Sequence, residues 1–474
     1  MENKKPSTKN AVKAGIWYTI SSVTVKTITI IMTPIFTRMM TTSEYGLAST
    51  FISWYTLLLV FASLNLTYSI GRAKLDFPGK LTEYVGSMQL LSSIATLCIC
   101  VVAAIFIEPV ADVLELNIPL VILLMIYLFF APAITFKQSK FRYEYRYKGN
   151  IFISGYTTVS AVVVTLIFLF IFKEDRYYAK VLGSVLPAVI LSLVFWYQSI
   201  KNKSLKINTE YWKYGLYIGL QIIFHTVSLN ILAQSDRIMI TKFCGDSFTG
   251  IYSLAYNFSI MINVILHAVN EAWLPWFHDT YFEEDFKSIR KNVKPLVILG
   301  SMLGIGCVAI APELMMILGP SSYHSGQWVV GPITVGLVCQ FIYQQYVHIE
   351  LHLKKTKFIS FGTVTAAVLN LILNAIFIPK FGFIAAAYTT MACYFVLMAM
   401  HLFITRTLLK VHLYHDSFMV LAILTVVAIC AVFMFLYNTL IIRYILLTIL
   451  CILYLVTNRK YILGYLNSRK KKSK

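Results

Sequence analysis

Polar and titratable residues recur on single helical faces inside otherwise apolar runs, a pattern that suits carriage of a charged cargo. Thr19, Ser22, Lys26, Thr29, Thr33 and Thr37 follow one another at spacings of three and four, which places them on one side of a helix. Lys26 is the only strong charge in that stripe. It lies about 18 Å along the helix from residue 14 at ~1.5 Å per residue. A cation at mid-membrane costs at least ~2.5–3.5 kcal/mol, so it normally faces water or a partner. Two readings follow: a structural pairing with Glu271, or a cation for an anionic headgroup.

Further along, Gln221, His225, Ser228 and Asn230 precede Asp236-Arg237. Asn263, His267, Asn270 and Glu271 share one face of the next apolar run. His267 and Glu271 are candidate protonation or cation-coupling sites, because buried titratable groups in transporters serve as relays. Asp236 and Arg237 fit either a gate or an interfacial ion pair with Arg38 and Glu44. Gln340, Gln344, His348 and His352 repeat at intervals of four. Gln340 and Gln344 line a cavity or bond a neighbouring helix, and Glu350 and His352 fall near the inner interface. Ser49, Ser53, Thr56, Ser63 and Thr67, and later Asn370 and Asn374, read as interhelical packing polars. Arg72 stands at the inner mouth. The acidic run Asp279, Glu283, Glu284 and Asp285 reads as a solvated loop balanced by Lys287, Arg290 and Lys291, with calcium or magnesium binding the weaker alternative.

The elements that carry these residues are membrane helices. Of 474 residues, 58% are hydrophobic and 13% charged, whereas soluble domains average about 25% charged. Fourteen apolar runs reach the roughly 18 residues that span a bilayer: 14–36, 46–70, 84–106, 118–136, 151–172, 179–200, 214–235, 251–275, 295–317, 328–352, 358–378, 383–405, 417–437 and 441–457. The first reads as a retained helix, since no small-residue cleavage site follows it. Most of the 41 Lys and Arg residues fall in alternate loops. That alternation places both termini in the cytoplasm. The net charge of +20 is therefore a surface facing anionic lipid, and no nucleic-acid partner is expected. The outer loops are short, which leaves no extramembrane domain. Seven of eight cysteines fall inside spans and make neither a disulfide framework nor a zinc motif. No Walker loop is present, so no intrinsic ATPase and no enzyme is expected.

An internal repeat divides the chain. Gly15 opens a pattern ending in Thr37-Arg38-Met39-Met40 and Tyr45-Gly46-Leu47-Ala48-Ser49. Gly215 opens a second, ending in Asp236-Arg237-Ile238-Met239 and Gly250-Ile251-Tyr252-Ser253-Leu254-Ala255. Six helices separate the two, so the repeats are parallel, with a substrate site between the halves. The expected organisation is a basic N-terminus (1–13), a first lobe (14–200), a second lobe (201–405), an added helix pair (406–457) and a basic tail (458–474). The fold class is all-α and polytopic, with two six-helix lobes and a C-terminal pair.

Ordered segments carry a resemblance. Thr33-Pro34-Ile35-Phe36-Thr37-Arg38-Met39-Met40 with Ser43-Glu44-Tyr45-Gly46 resembles the N-terminal signature of bacterial Wzx-type polysaccharide flippases. These belong to the superfamily that includes the multidrug and toxic-compound extruders. Asp236-Arg237-Ile238-Met239-Ile240, and later Asn370-Leu371-Ile372-Leu373-Asn374 with Ile378-Pro379-Lys380-Phe381-Gly382, resemble the family's later blocks. Ala385 stands where the family usually has Gly. The resemblance covers most of residues 14–400. It implies a MATE-like fold and a flippase that moves a polyprenyl-diphosphate-linked oligosaccharide by alternating access, for capsule, exopolysaccharide or O-antigen synthesis. It implies a bacterial cytoplasmic membrane location, an ion or proton gradient in place of a cofactor, and polymerase and glycosyltransferase partners. Lys26, Arg72, Ser22, Thr29, Asn263, His267, Gln340 and Gln344 are then candidates for the cargo cavity. Arg38, Asp236, Arg237, His225 and Glu271 are candidates for gating or coupling. The alternatives are a drug–cation antiporter, which wants a mid-membrane carboxylate that the first six spans lack, and a flippase for a peptidoglycan or teichoic-acid precursor. A membrane-embedded ligase would need a large outer loop.

Overall fold

Apolar runs that cannot leave backbone groups unpaired in lipid must become helices, and they do. The computed structural model describes residues 8–457 and Arg459, with side chains from Trp17 onward except those of Tyr18, Thr19 and Ser22. Helices α1 (Thr8–Met39), α2 (Thr42–Ala62), α3 (Ile70–Asp76), α4 (Leu81–Ile105), α5 (Ile107–Leu114) and α6 (Ile118–Phe130) come first. They are followed by α7 (Pro132–Tyr143), α8 (Tyr147–Ile171), α9 (Tyr177–Lys201), α10 (Thr209–Cys244), α11 (Asp246–Phe282) and α12 (Phe286–Ala309). The chain ends with α13 (Ala311–Leu318), α14 (Gln327–His352), α15 (Thr356–Phe381), α16 (Ile384–Phe403), α17 (Asp416–Phe435) and α18 (Leu440–Thr457). Among the described residues, 13 helical segments are long and apolar enough to cross a membrane. α1 adds 32 residues, about 48 Å at the α-helical rise. Each of the fourteen expected spans thus falls on one helix or on two consecutive ones.

The spans are less regular than their apolar pattern suggests. The second, expected to run through 46–70, stops at Ala62. Leu64 and Asn65 then take φ of 48° and 55°, the left-handed region that a β-carbon disfavours. Neighbouring side chains make this break tolerable. Ser92 and Thr96 donate to the freed Ala62 carbonyl at 2.8 and 3.0 Å, and Asn65 Nδ2 donates to Thr226 Oγ1 at 3.2 Å. The fourth span is interrupted at Ala131, just before Pro132 opens α7, and the ninth breaks between α12 and α13.

The residues form two compact units. One comprises Met1–Leu254, Leu318–Tyr323 and Thr363–Ala386; the other comprises Ala255–Ile317, His324–Gly362 and Ala387–Lys474. In the first, α1 lies on α8, α8 on α9, and α2 packs against α6, α9 and α10. Ala48, Phe51, Leu120, Leu124, Val181 and Val185 form its core. Close approach depends on small residues, as expected between helices in lipid. A β-carbon on Gly183 would come within 1.9 Å of Thr165 Oγ1 across the α8–α9 contact. In the second unit, α12 packs against α14, α17 and α18. Gly300 and Gly304 give room to Phe341 and Val338 of α14.

Candidate functional site

The first unit holds a cavity of about 430 Å³ walled by α1, α2, α6, α7, α8 and α9. Its lining is mixed: Thr29, Thr135, Thr157, Thr165 and Ser184 supply hydroxyls, and Tyr55 and Tyr127 stack at 3.8 Å on one wall. Lys180, in the first turn of α9, brings a positive charge to it. The Lys180 Nζ sits 3.3 Å from the ring centre of Tyr45. Among the described residues, no carboxylate lies within 4 Å of it. An aromatic face offsets part of the cost of a desolvated cation and leaves the charge uncancelled.

A second opening of about 370 Å³ adjoins the first, with Gln138 lining both. It is bordered by Lys26 of α1, Arg142 of α7, and Asn150 and Ser154 of α8. Asn150 is buried, and its Oδ1 has no partner. Three cations (Lys26, Arg142, Lys180), hydroxyls and amides thus line two cavities that share Gln138. Such a lining suits a group that is both anionic and rich in hydroxyls.

Of the residues singled out in the sequence, Lys26 and Thr29 line these cavities. The side chain of Ser22 lies outside the described residues. Arg72 is exposed at the basic-loop end of the unit and bonds Asp76 at 2.9 Å. Hydrogen bonds from Tyr214 and Arg72 hold the Asp76 carboxyl below its usual range. Arg38 turns back to the Pro34 carbonyl at 3.0 Å. Glu44 completes a capping box with Thr41 and accepts from the Arg176 amide at 2.7 Å. Asp236 is buried and accepts from Asn374 Nδ2 at 2.8 Å and from the Tyr252 hydroxyl. Arg237 reaches Ser253 Oγ at 3.2 Å and Gln234 Oε1 at 3.2 Å. His225 Nδ1 meets Thr363 Oγ1 at 2.8 Å.

The second unit carries the rest. His267 and Glu271 stand 3.8 Å apart, both with exposed side chains. Asn263 is half-buried one turn away. Gln344 accepts from Asn270 at 2.9 Å, and Gln340 Oε1 is buried without a partner. Glu350, expected near an interface, is wholly buried and bonds His401 Nδ1 at 2.8 Å. Arg443 is also fully buried and pairs with Glu313. Sequence reasoning missed Lys180, Arg142 and Arg443 as site or core residues, because each stands at the edge of a span where a basic residue is ordinarily a loop feature.

Comparison with known proteins fits this architecture. The family model described as "Polysaccharide biosynthesis protein" matches residues 11–281. The chain belongs to that family. It is 24% identical over 201 residues to the Lsg locus putative protein 1 of Haemophilus influenzae, an alignment covering 40% of this chain and 47% of that relative. The chain thus spans about half the length of that curated relative. Among solved structures, the lipid II flippase MurJ in an inward closed conformation has a TM-score of 0.69 at 13% identity, covering 95% of this chain and all of that one. An inward-facing multidrug resistance MATE transporter has a TM-score of 0.58 at 14% identity, covering 82% of this chain and 96% of that one. At these identities the likeness is one of fold. The protein is a multi-pass membrane protein with a MATE-like fold.

Proposed function

We propose that this chain is a flippase that carries a polyprenyl-diphosphate-linked oligosaccharide across the bacterial cytoplasmic membrane by alternating access. The observation that carries this reading is the pair of cavities in the first unit that share Gln138, one lined by Lys180 with threonine hydroxyls and the other by Lys26 and Arg142 with amide side chains. The cations suit the diphosphate and the hydroxyls and amides suit sugar hydroxyls, while the surrounding lipid accepts the polyprenyl tail. Membership in a polysaccharide biosynthesis family supports the same cargo class. In this reading Asp236, Arg237, Arg38 and His225 control opening, and an ion gradient provides the drive. Glycosyltransferases and a polymerase act before and after it.

A drug–cation antiporter is disfavoured, because the described cavities present cations. A peptidoglycan-precursor flippase is the second reading, favoured by the likeness in fold to a lipid II flippase; it shares the diphosphate chemistry. The test is lipid-linked oligosaccharide export in cells carrying Lys26→Ala, Lys26→Arg or Glu271→Gln. Export should fall with Lys26→Ala and partly return with Lys26→Arg. Wild-type export by Lys26→Ala at normal membrane levels would overturn the diphosphate role. Accumulated lipid II, rather than oligosaccharide, in a null strain would favour the second reading.

A further inference from the structure

A smaller pocket lies at the basic-loop end of the first unit, apart from the two cavities assigned to cargo. It sits between the start of α4, the middle of α7 and the end of α9. The basic residues of α7 serve two different sides. Gln138 and Arg142 line the cargo cavities, whereas Lys137 and Lys140 line this pocket. At ~100° per residue the two pairs stand roughly 150° apart around the helix.

Donors converge on the pocket, and few acceptors answer them. Lys137 Nζ donates to Gln198 Oε1 at 3.0 Å and otherwise meets the rings of Phe141 and Phe195, each 5.3 Å away. Among the described residues it has no carboxylate within 4 Å. Lys140 Nζ donates to Thr82 Oγ1 at 2.6 Å and stands 3.7 Å from Glu144, which Arg146 shares at 3.9 Å. Glu83, next to Thr82 in the chain, is met by Lys206 at 3.8 Å. Gln89 also lines the pocket and is 4% exposed. Its Oε1 accepts from Ser199 Oγ at 3.4 Å, while its Nε2 is buried with no partner. A buried donor without an acceptor is costly, so the group that suits this pocket is an acceptor.

Local packing builds the pocket. A β-carbon on Gly86 would lie 2.2 Å from the Ser204 carbonyl oxygen, so glycine lets the turn after α9 close onto α4. Ser204 is 3% exposed there. The volume is about 30 Å³, room for two oxygen-sized atoms at ~10–15 Å³ each. Thr82 and Asn202 are exposed at the mouth. The first turn of α4 borders it, and the free amides of that turn add positive character.

We infer that this pocket binds the phosphodiester of an anionic phospholipid. A phosphodiester carries one negative charge on two non-bridging oxygens, and two oxygens are what the volume admits. Its ester oxygens lead outward past Thr82 and Asn202 to glycerol and headgroup. Lys137 and Lys140 give charge-assisted hydrogen bonds, and Gln89 Nε2 gives a third donor. Lipid phosphates lie where basic loops meet the bilayer surface, which is the level of this mouth. The bound lipid ties α4, α7 and α9 together at one end of the unit. The site is independent of the flippase reading.

The test is thermal unfolding of the full chain in a non-ionic detergent, with phosphatidylglycerol, phosphatidylcholine or inorganic phosphate added. Phosphatidylglycerol should raise the wild-type midpoint by ~3 °C, as a ligand of the folded state does. Lys203→Gln, exposed and outside the pocket, should keep that rise. Lys137→Gln should lose it. Lys140→Gln should lose it too while keeping a polar group for Thr82, which covers a failure of Lys137→Gln to fold. No rise in wild type, or an equal rise in the folded pocket variants, would overturn the proposal. An equal rise with phosphatidylcholine would overturn the need for net negative charge. A pocket-dependent rise with inorganic phosphate would overturn the lipid as the source of the anion.

Discussion

Gly46 and Gly250, equivalent positions in the two sequence repeats, meet backbone to backbone. A β-carbon on Gly46 would lie 1.8 Å from the Asp246 carbonyl oxygen, and one on Gly250 would lie 2.0 Å from the Thr42 carbonyl oxygen. The first turn of α2 and the first turn of α11 are therefore in reciprocal contact, each glycine making room for the other helix. The obstruction is main chain, so it cannot swing aside. Gly46→Ala or Gly250→Ala should each destabilise the protein by about 1–3 kcal/mol, the range for overpacking. The loss is read as a lower midpoint of thermal unfolding in detergent. An unchanged midpoint would mean that this contact is not kept in the membrane.

Lys180 should matter as much as Lys26, although it is placed differently. Lys180→Met keeps the stem and removes the charge beside Tyr45. Export should fall roughly tenfold, about the worth of one charge-assisted hydrogen bond to an anion. Tyr45→Phe keeps the ring face under the ammonium and should leave export near wild type. Equal losses in Lys180→Met and Tyr45→Phe would point to packing of the α1–α2 turn rather than to the cation.

The Arg443–Glu313 pair should anchor α18. Arg443 is 1% exposed and Glu313 27%. Breaking a buried pair from one side strands the other charge, a cost of about 3–5 kcal/mol. Glu313→Gln should therefore lower the unfolding midpoint strongly, and the double variant Glu313→Gln with Arg443→Met should recover much of it. A double variant as unstable as the single one would refute this.

Asp236 belongs to a buried network, with Asn374 and Tyr252 donating to its two oxygens. Asp236→Ala should remove the acceptor of both hydrogen bonds, at about 1–3 kcal/mol, and lower the unfolding midpoint. Asp236→Asn retains one acceptor and should fall between. If Asp236 gates as well as packs, export by Asp236→Asn should drop further than the amount of folded protein does. Quantitative immunoblotting beside the export assay separates the two.

Membrane helices were legible because apolar length is a local property. Every run from 14–36 to 441–457 falls on helical segments, three of them interrupted, since lipid leaves the backbone no other way to satisfy its hydrogen bonds. Gly46 and Gly250, read from the sequence as matching places in a repeat, meet in the structure. Irregularities inside spans were hidden. The break at Leu64-Asn65 exists because Ser92, Thr96 and Thr226, remote in sequence, take up the freed backbone and amide groups.

The site divides the same way. The polar stripe of the first helix, and Lys26 within it, could be read from spacing alone, because helical periodicity decides which residues share a face. Which partners that face meets is a property of packing. Only the tertiary structure set Lys26 beside Arg142 and Asn150, brought Lys180 over the Tyr45 ring, buried Glu350 against His401, and left His348 Nδ1 buried without a hydrogen-bond partner. Composition and period act along one helix, whereas charge pairing, desolvation and orphaned atoms depend on neighbours that the chain brings in from far away.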